Sequence, residues 1–178
     1  MTAHALQTDR LILRPYSAQD IPDLVALIGA REIAATTLRI PHPYTEADAR
    51  DFLATIGQSD NLNLAIVLQS DNHLCGGIGL RPDHANHHAE LGYWIGVPYW
   101  GHGYATEAAR ALVQHGFEAL NLTRIYAFHF KHNPASGRVL QKIGMRHEGC
   151  QRAHIYKWGQ LIDLELYGLL RSEWKAGP

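Results

Sequence analysis

Apolar and polar residues alternate along several short stretches of the chain, and this period of two predicts half-buried β-strands. The clearest stretch is Leu62–Leu68, in which every second residue is Leu or Ile. Another apolar stripe consists of Ala89, Leu91, Tyr93 and Ile95. Further strands are predicted for residues 10–16, 74–80, 123–130, 147–155 and 163–170. A β-sheet is therefore expected to run through most of the chain.

Apolar residues spaced three and four apart predict helices between these strands. Ser17, with Asp20 three residues later, is a predicted N-cap for a helix over Ile21–Ile28, and Gly29 can end that helix. Thr45 is the predicted cap of a second helix. The apolar face of that helix consists of Ala49, Phe52, Leu53 and Ile56.

Two more helices are predicted in the second half of the chain. One follows the strand that ends at Ile95, and the other begins at Asn133, with Pro134 at its first position and Gly144 at its end. Residues 82–87 form a predicted polar loop. Antiparallel strands followed by a strand–loop–helix–strand unit predict a mixed α+β sheet.

The loop before the third helix has the properties of an anion-binding turn. Gly101 and Gly103 are separated by one residue, and glycine allows both tight bending and close approach of a ligand. The first turn of the following helix has N–H groups without intrahelical partners, which favour a phosphate or pyrophosphate. A plain strand–helix turn is the alternative. A dinucleotide-binding loop is disfavoured, because Thr106 stands where GxGxxG requires its third glycine.

Composition narrows the classes of function without selecting one. A chain of 178 residues with 46% hydrophobic and 19% charged residues predicts a single globular domain over residues 1–178. The formal net charge of −1 gives no electrostatic footprint for nucleic acid. Cys75 and Cys150 form no disulfide or zinc pattern, and no segment resembles a signal peptide or membrane span. We therefore expect a cytoplasmic protein that binds neither nucleic acid nor membranes.

Four segments, in order along the chain, resemble one family of enzymes. Residues 99–108, Tyr-Trp-Gly-His-Gly-Tyr-Ala-Thr-Glu-Ala, resemble the acyl-CoA signature of the GNAT superfamily of N-acetyltransferases. Residues 133–145, Asn-Pro-Ala-Ser-Gly-Arg-Val-Leu-Gln-Lys-Ile-Gly-Met, resemble its second conserved segment. Residues 8–16 and 40–46 resemble the RimJ/RimL-like branch, which contains ribosomal-protein N-terminal acetyltransferases. The resemblance extends over almost the whole chain.

This resemblance implies both a fold and a reaction. The fold is a single GNAT-like α+β domain, with a mostly antiparallel mixed sheet splayed around the acyl-CoA site and helices on both faces. The reaction is transfer of an acetyl group from acetyl-CoA to a primary amine, by direct attack in a ternary complex and without a metal. A protein N-terminus is the first candidate acceptor, and a small-molecule amine is the second. A binding module of the same fold without turnover is the alternative from another class.

The resemblance also assigns residues to the cofactor. The N–H groups for the pyrophosphate belong to Gly101, His102, Gly103, Tyr104, Ala105 and Thr106. The strand end that would hydrogen-bond the pantetheine arm and polarise the thioester comprises Ile95, Gly96 and Val97. Asn133 would contact the pantetheine from the other side, serve as an N-cap, or do both. Pro98 stands where the family often has Gln or Arg, so Arg138 is the candidate for the missing charge, unless it is an ordinary surface residue.

Two residues are candidates for moving protons. Glu90 shares a strand face with Trp94, and partial burial there would make its carboxylate a stronger base, acting directly or through a water. An ordinary solvent-facing residue is the alternative. Many family members protonate the leaving thiolate with a tyrosine, at the position that is Leu140 here. The RimL-like branch uses a serine where Ser136 stands, so Ser136 is the candidate general acid, or else a small residue that allows close helix packing.

The acceptor side is less determined by the sequence. Tyr44 and Trp94 are candidates for the walls of the acceptor cleft, and buried core positions would explain them equally well. The group of His84, His87 and His88 suggests a metal site, but a solvated polar loop is the simpler interpretation. Many members of the family are homodimers, and no surface pattern in the sequence decides the oligomeric state.

Overall fold

Eight strands form one sheet, in which the fifth strand lies beside the sixth. The computed structural model describes residues 5–56 and 58–175. The strands are β1 (Leu6–Gln7), β2 (Leu11–Arg14), β3 (Leu62–Leu68), β4 (Leu74–Asp83), β5 (His88–Ile95), β6 (Arg124–Phe130), β7 (Arg146–Lys157) and β8 (Gln160–Leu170). Their order is β1-β2-β3-β4-β5-β6-β8-β7. All neighbours are antiparallel except β5 and β6, which confirms the mostly antiparallel mixed sheet.

Helices cover both faces of this sheet, as predicted. They are α1 (Ile21–Ile28), α2 (Arg31–Thr36), α3 (Glu46–Thr55), α4 (Tyr104–Glu118) and α5 (Pro134–Lys142). In β3, Leu64 and Ile66 belong to the core on the α4 side, whereas Ala65 and Val67 belong to the core on the α1 and α3 side. Burial of each of the larger aliphatic side chains contributes roughly 1.5–3 kcal/mol. Within the described ranges, no helix is long and apolar enough to cross a bilayer.

The predicted helix starts are confirmed by their capping contacts. The Ser17 N–H donates to the Asp20 carboxylate at 2.7 Å, and a short 3-10 turn then leads into α1. The Thr45 N–H donates to the Asp48 carboxylate at 2.8 Å, while the Asp48 N–H donates to the Thr45 hydroxyl at 3.3 Å. Each pair satisfies N–H groups that the first helical turn leaves unpaired. Gly29 is the C-cap of α1, also as predicted.

Two parts of the fold differ from the prediction. α2 was not predicted, because it has six residues and its N-cap, Ala30, has no side chain that can cap a helix. β4 continues to Asp83 instead of ending at Leu80, so the predicted loop over residues 82–87 begins too early. Pro82 is tolerated because the pairing of β4 with β3 ends at Leu80, which leaves that part of β4 paired only with β5.

Candidate active site

The candidate residues meet in a cavity that opens where β5 and β6 separate. The two strands pair only between residues 88–90 and 124–126. Beyond Glu90 they diverge, and a cavity of about 820 Å³ lies between them. β5 and the loop after it line one side, and the end of β6 and the start of α5 line the other. The strand edges that lose their partners expose unpaired N–H and C=O groups along this cavity.

The glycine loop has the geometry that the sequence predicts. Gly101 and Gly103 have φ values of +81° and +82°, which favour glycine strongly over other residues. A Cβ added at Gly101 would meet no atom within 4 Å, so the backbone there is open to a ligand. The first N–H that bonds within α4 is that of Glu107, to the Gly103 carbonyl. The N–H groups of Tyr104 to Thr106 precede it and form the positive end of the helix dipole.

Arg10, near the N-terminus of the chain, holds this loop in place through side-chain contacts. Its guanidinium forms an ion pair with Glu107 at 2.6 Å and donates to the His102 carbonyl at 3.0 Å. Thr8 donates a further hydrogen bond to Glu107 at 2.7 Å. Burial acts to raise the pKa of Glu107, but these hydrogen bonds outweigh it and lower that pKa. Sequence reasoning missed this contact, because it joins residues 97 positions apart.

The start of α5 brings side chains to the opposite side of the cavity. Asn133 is the N-cap, and its side-chain oxygen accepts from the Ser136 N–H at 3.4 Å, which confirms the predicted cap. Asn133 also lines the cavity, so the capping role and the cofactor role are compatible. Arg138 and Lys142, one helical turn apart, line the cavity as well. They place positive charge near the cofactor region, although Pro98 supplies none.

Ser136 has a partner that the sequence analysis did not identify. Its hydroxyl lies 2.7 Å from the hydroxyl of Tyr93, whose oxygen is also 3.1 Å from the Ser136 carbonyl oxygen. Burial raises the pKa of Tyr93 well above its ordinary value, which keeps the phenol protonated. The signal in the sequence was a hydroxyl-bearing residue within an apolar stripe, since a buried hydroxyl needs a hydrogen-bond partner.

Glu90 lines the cavity but is not the isolated carboxyl group that we expected. Its side chain is 15% exposed, and Arg81 donates to it at 2.8 Å. Arg39 approaches the same carboxylate oxygen at 3.4 Å. Two guanidinium groups therefore contact the Glu90 side chain within the cavity lining, and neither contact was predicted from the sequence.

Aromatic residues form the wall of the cavity opposite the glycine loop. Tyr44 and Trp94 line it, and both also pack against the core on the α1 and α3 side. Tyr16 packs against the same core as Trp94, and its ring lies edge-on against Phe52 at a centroid distance of 5.2 Å. Burial raises the pKa of Tyr44 to about 12. The two alternatives from the sequence thus coincide, because these residues are partly core and partly cavity wall.

The floor beside this wall has no side chain. Gly92 lies on β5 opposite Gly79 of β4, and it lines the cavity. A Cβ added at Gly92 would meet no atom within 4 Å. The open space on this face of the sheet lies between Trp94 and Glu90, two residues away on either side, so it is a place where an acceptor can lie flat against the strand.

The sequence profile of the acetyltransferase (GNAT) domain matches residues 10–146. The match includes β2 to α5, and with them the glycine loop, Glu90 and Ser136. The chain belongs to the GNAT acetyltransferase family. The protein is accordingly an acetyl-CoA-dependent N-acetyltransferase.

Individual GNAT proteins show how widely this similarity extends. The uncharacterized N-acetyltransferase YoaA of Bacillus subtilis is 32% identical over 170 residues, which cover 93% of this chain and 96% of YoaA. The [ribosomal protein uS5]-alanine N-acetyltransferase of Escherichia coli is 32% identical over 91 residues, 51% of this chain and 47% of that enzyme. This relative agrees with the RimJ/RimL-like branch expected from residues 8–16 and 40–46.

Solved GNAT structures show the same fold. An acetyltransferase from Bacillus anthracis has a TM-score of 0.87 at 28% identity, covering 96% of this chain and 100% of that one. RimL, the ribosomal L7/L12 alpha-N-protein acetyltransferase, was solved with coenzyme A and has a TM-score of 0.84 at 19% identity, covering 94% and 98%. The open glycine loop and the unpaired helix N–H groups of the present protein fit coenzyme A.

Three residues assigned to the cofactor do not line the cavity. The Gly96 N–H donates to the Cys75 carbonyl at 2.9 Å, so it is not free for pantetheine, and neither Gly96 nor Val97 is among the lining residues. The His102 ring stacks on Tyr104 and lies 2.9 Å from the Trp100 carbonyl. The role expected of His102 concerns its backbone N–H, and it stays a prediction. Of the predicted strand end, only Ile95 lines the cavity.

The histidine-rich loop does not form a metal centre within the described residues. His84 lies 3.5 Å from Asp60, and His88 lies 3.8 Å from Asp83. Throughout residues 5–56 and 58–175, no three His, Cys, Asp or Glu side chains come together as metal ligands would. These histidines are therefore explained by pairwise surface contacts.

Proposed function

We propose that this GNAT enzyme acetylates the N-terminal amine of a protein, which attacks the thioester of acetyl-CoA directly within a ternary complex. The observation that carries the proposal is a single cavity of about 820 Å³ that joins the glycine loop to the aromatic wall. Cofactor and acceptor can occupy such a cavity together, so no acyl group needs to be carried between two sites.

The acceptor side suits an extended chain end. Residues 127–130 of β6 have no β5 partner, and an unpaired strand edge offers N–H and C=O groups to an extended peptide. Gly92 leaves room for a peptide backbone, while Tyr44 and Trp94 provide flat walls beside it. The relative named [ribosomal protein uS5]-alanine N-acetyltransferase supports a protein as the acceptor.

Direct attack is favoured because the cavity supplies no thiol nucleophile. Neither of the two cysteines lines it. Cys75 is buried in the core on the α4 side, and burial raises its pKa to about 12, so its reactive thiolate is disfavoured. Cys150 is exposed on β7, away from the cavity lining.

Different sides of the cavity accept the proton of the amine and stabilise the leaving thiolate. Glu90, whose side chain accepts a hydrogen bond from Arg81, accepts the proton that the amine loses, directly or through a water. Ser136 directs its hydroxyl towards the leaving sulfur. The N–H groups of Tyr104 to Thr106 hold the pyrophosphate, and Arg138 and Lys142 add positive charge beside it.

The test compares three acceptors at equal concentration, with release of free coenzyme A and the mass of the product as readouts. The acceptors are a peptide with a free N-terminal alanine, the same peptide with a blocked N-terminus and one internal lysine, and spermidine. We expect turnover with the first peptide and at most trace turnover with the other two. Turnover with spermidine alone would replace the proposal with small-molecule acetylation, and acetyl-CoA binding without any turnover would indicate a binding module.

A further inference from the structure

We infer that Tyr93 is a positioning residue that directs the hydroxyl of Ser136 towards the sulfur of acetyl-CoA. This inference rests on the role proposed above for Ser136. Tyr93 lies on β5, on one side of the cavity, and Ser136 lies in the first turn of α5, on the other side. The contact therefore connects the two sides of the cavity.

The position of Tyr93 within the core makes its hydroxyl unusual. The residue belongs to the face of β5 that contains Leu91 and Ile95, and its ring packs against the core on the α4 side. A phenylalanine would fill the same space, and its ring would bring no hydroxyl that needs a partner. The partner that the phenol finds is a serine that lines the cavity.

The single hydrogen of the Tyr93 phenol determines which way the Ser136 hydroxyl points. The phenol has one hydrogen, and its two neighbouring acceptors are the Ser136 hydroxyl oxygen at 2.7 Å and the Ser136 carbonyl oxygen at 3.1 Å. The shorter distance is the usual length for a bond between two hydroxyl groups. When Tyr93 donates to the serine oxygen, the serine hydrogen is free to point into the cavity. Without that donor, a helical serine turns readily to a backbone carbonyl three or four residues earlier.

The reaction step balances with Tyr93 unchanged. The amine nitrogen forms a bond to the carbonyl carbon, the carbon–sulfur bond breaks, and its electron pair goes to sulfur. The Ser136 hydroxyl donates a hydrogen bond to this thiolate and relays a solvent proton to it in one concerted step, so the serine stays neutral. The proton lost by the amine passes through Glu90 to solvent, so one proton enters solvent from the nitrogen and one reaches the sulfur from solvent. Tyr93 keeps its own proton, in agreement with its raised pKa.

The test is a double-mutant cycle of Tyr93→Phe and Ser136→Ala, measured with whichever amine supports turnover. We expect kcat to fall about 10-fold for Tyr93→Phe, from the loss of one hydrogen bond, and about 100-fold for Ser136→Ala. Because Tyr93 acts through Ser136, the double variant should match Ser136→Ala to within about 2-fold. The KM for acetyl-CoA should stay unchanged in all three.

Tyr167→Phe is the matched control, since Tyr167 is buried on β8 and does not line the cavity. It should leave kcat unchanged. Calorimetric binding of acetyl-CoA checks that each variant keeps a folded cleft. Full activity in Ser136→Ala would remove the role proposed for Ser136, and the inference with it. A slow Ser136→Ala enzyme together with a fully active Tyr93→Phe enzyme, or two effects that multiply in the double variant, would overturn the inference alone.

Discussion

The two ends of the cavity are built from different parts of the polypeptide. The cofactor end consists mostly of backbone, namely two glycines at positive φ and the free N–H groups of a helix start. The acceptor end consists of side chains that reach one another across the fold, such as the ion pairs of Glu90 and the packing of Tyr16 on Phe52. Backbone geometry depends on a few local residues, whereas side-chain networks depend on the whole fold. Substitutions at the cofactor end should therefore impair binding by changing the backbone conformation. Substitutions at the acceptor end should impair catalysis by changing charge or shape.

The largest expected effect is at the acceptor end, in Glu90→Gln. Removing the proton acceptor should lower kcat by about 100- to 1,000-fold, while the affinity for acetyl-CoA stays the same. Steady-state kinetics and calorimetry measure the two quantities separately. Glu118→Gln, an exposed change on α4, is the control. Unchanged kcat in Glu90→Gln would mean that Glu90 serves only to hold Arg81 and Arg39.

Gly92→Val tests whether the acceptor end depends on shape. The strand accommodates valine, and the new side chain would project into open space without a clash. It would displace the acceptor by about the width of a methyl group, which should lower kcat/KM for the acceptor by about 100-fold. The Kd for acetyl-CoA should not change. An unaltered kcat/KM would show that the acceptor does not lie on this floor, and Gly92→Ala should give an intermediate value if it does.

Gly101→Val tests the cofactor end through backbone conformation alone. Forcing a β-branched residue to a φ of +81° costs roughly 1–3 kcal/mol, so acetyl-CoA should bind roughly 5- to 150-fold more weakly. Gly159→Val is a closely matched control, because Gly159 has a φ of +79°, equally open surroundings and a position in the β7–β8 turn. That control should lower stability but not affinity. Equal losses of affinity in both variants would point to general unfolding instead.

The smallest effect on catalysis is expected from a change outside the cavity lining, at Asp20, which acts on the stability of the fold and its pH dependence. Burial opposes ionisation of Asp20, but the bonds from Arg14 and from the Ser17 N–H outweigh it and lower the pKa of Asp20. A depressed folded-state pKa adds stability above the unfolded value, and this stability is lost as the pH falls through the folded-state value. Asp20→Asn should therefore lower the free energy of unfolding by about 1.5–3 kcal/mol at pH 7.

The pH dependence gives this prediction its sharpest check. The difference between the wild type and Asp20→Asn should shrink as the pH falls below about 4, near the ordinary pKa of aspartate. Denaturant titrations at several pH values measure it. A difference that stays constant down to acid pH would show that the asparagine disturbs packing and that the ion pair contributes little.

The sequence predicted the features that depend on neighbouring residues. Ser17, Thr45 and Asn133 begin helices because each cap contacts a residue three positions later. Gly101 and Gly103 were predicted to form an open turn because their geometry follows from having no side chain. The cavity itself was expected from the resemblance to the GNAT family.

The features that sequence reasoning missed join distant residues. Tyr93 and Ser136 are 43 positions apart, Arg39 and Glu90 are 51 apart, and the residues linking Arg10 to α4 are farther still. No local pattern fixes which of many arginines meets a given carboxylate. Gly96 was misassigned for the same reason, since its N–H partner lies on β4.

Because the parallel pairing of β5 with β6 is short, binding of acetyl-CoA is expected to stabilise this part of the sheet. Three residue pairs join these strands, compared with eight between β5 and β4, so the pairing next to the cavity is weak. Acetyl-CoA that contacts the glycine loop on one side and α5 on the other would connect the two sides of this weakly paired region. At a concentration 100 times its Kd, a ligand that binds only the folded state adds about 2.7 kcal/mol of stability. Bound acetyl-CoA would therefore stabilise the sheet at the place where two of its strands diverge.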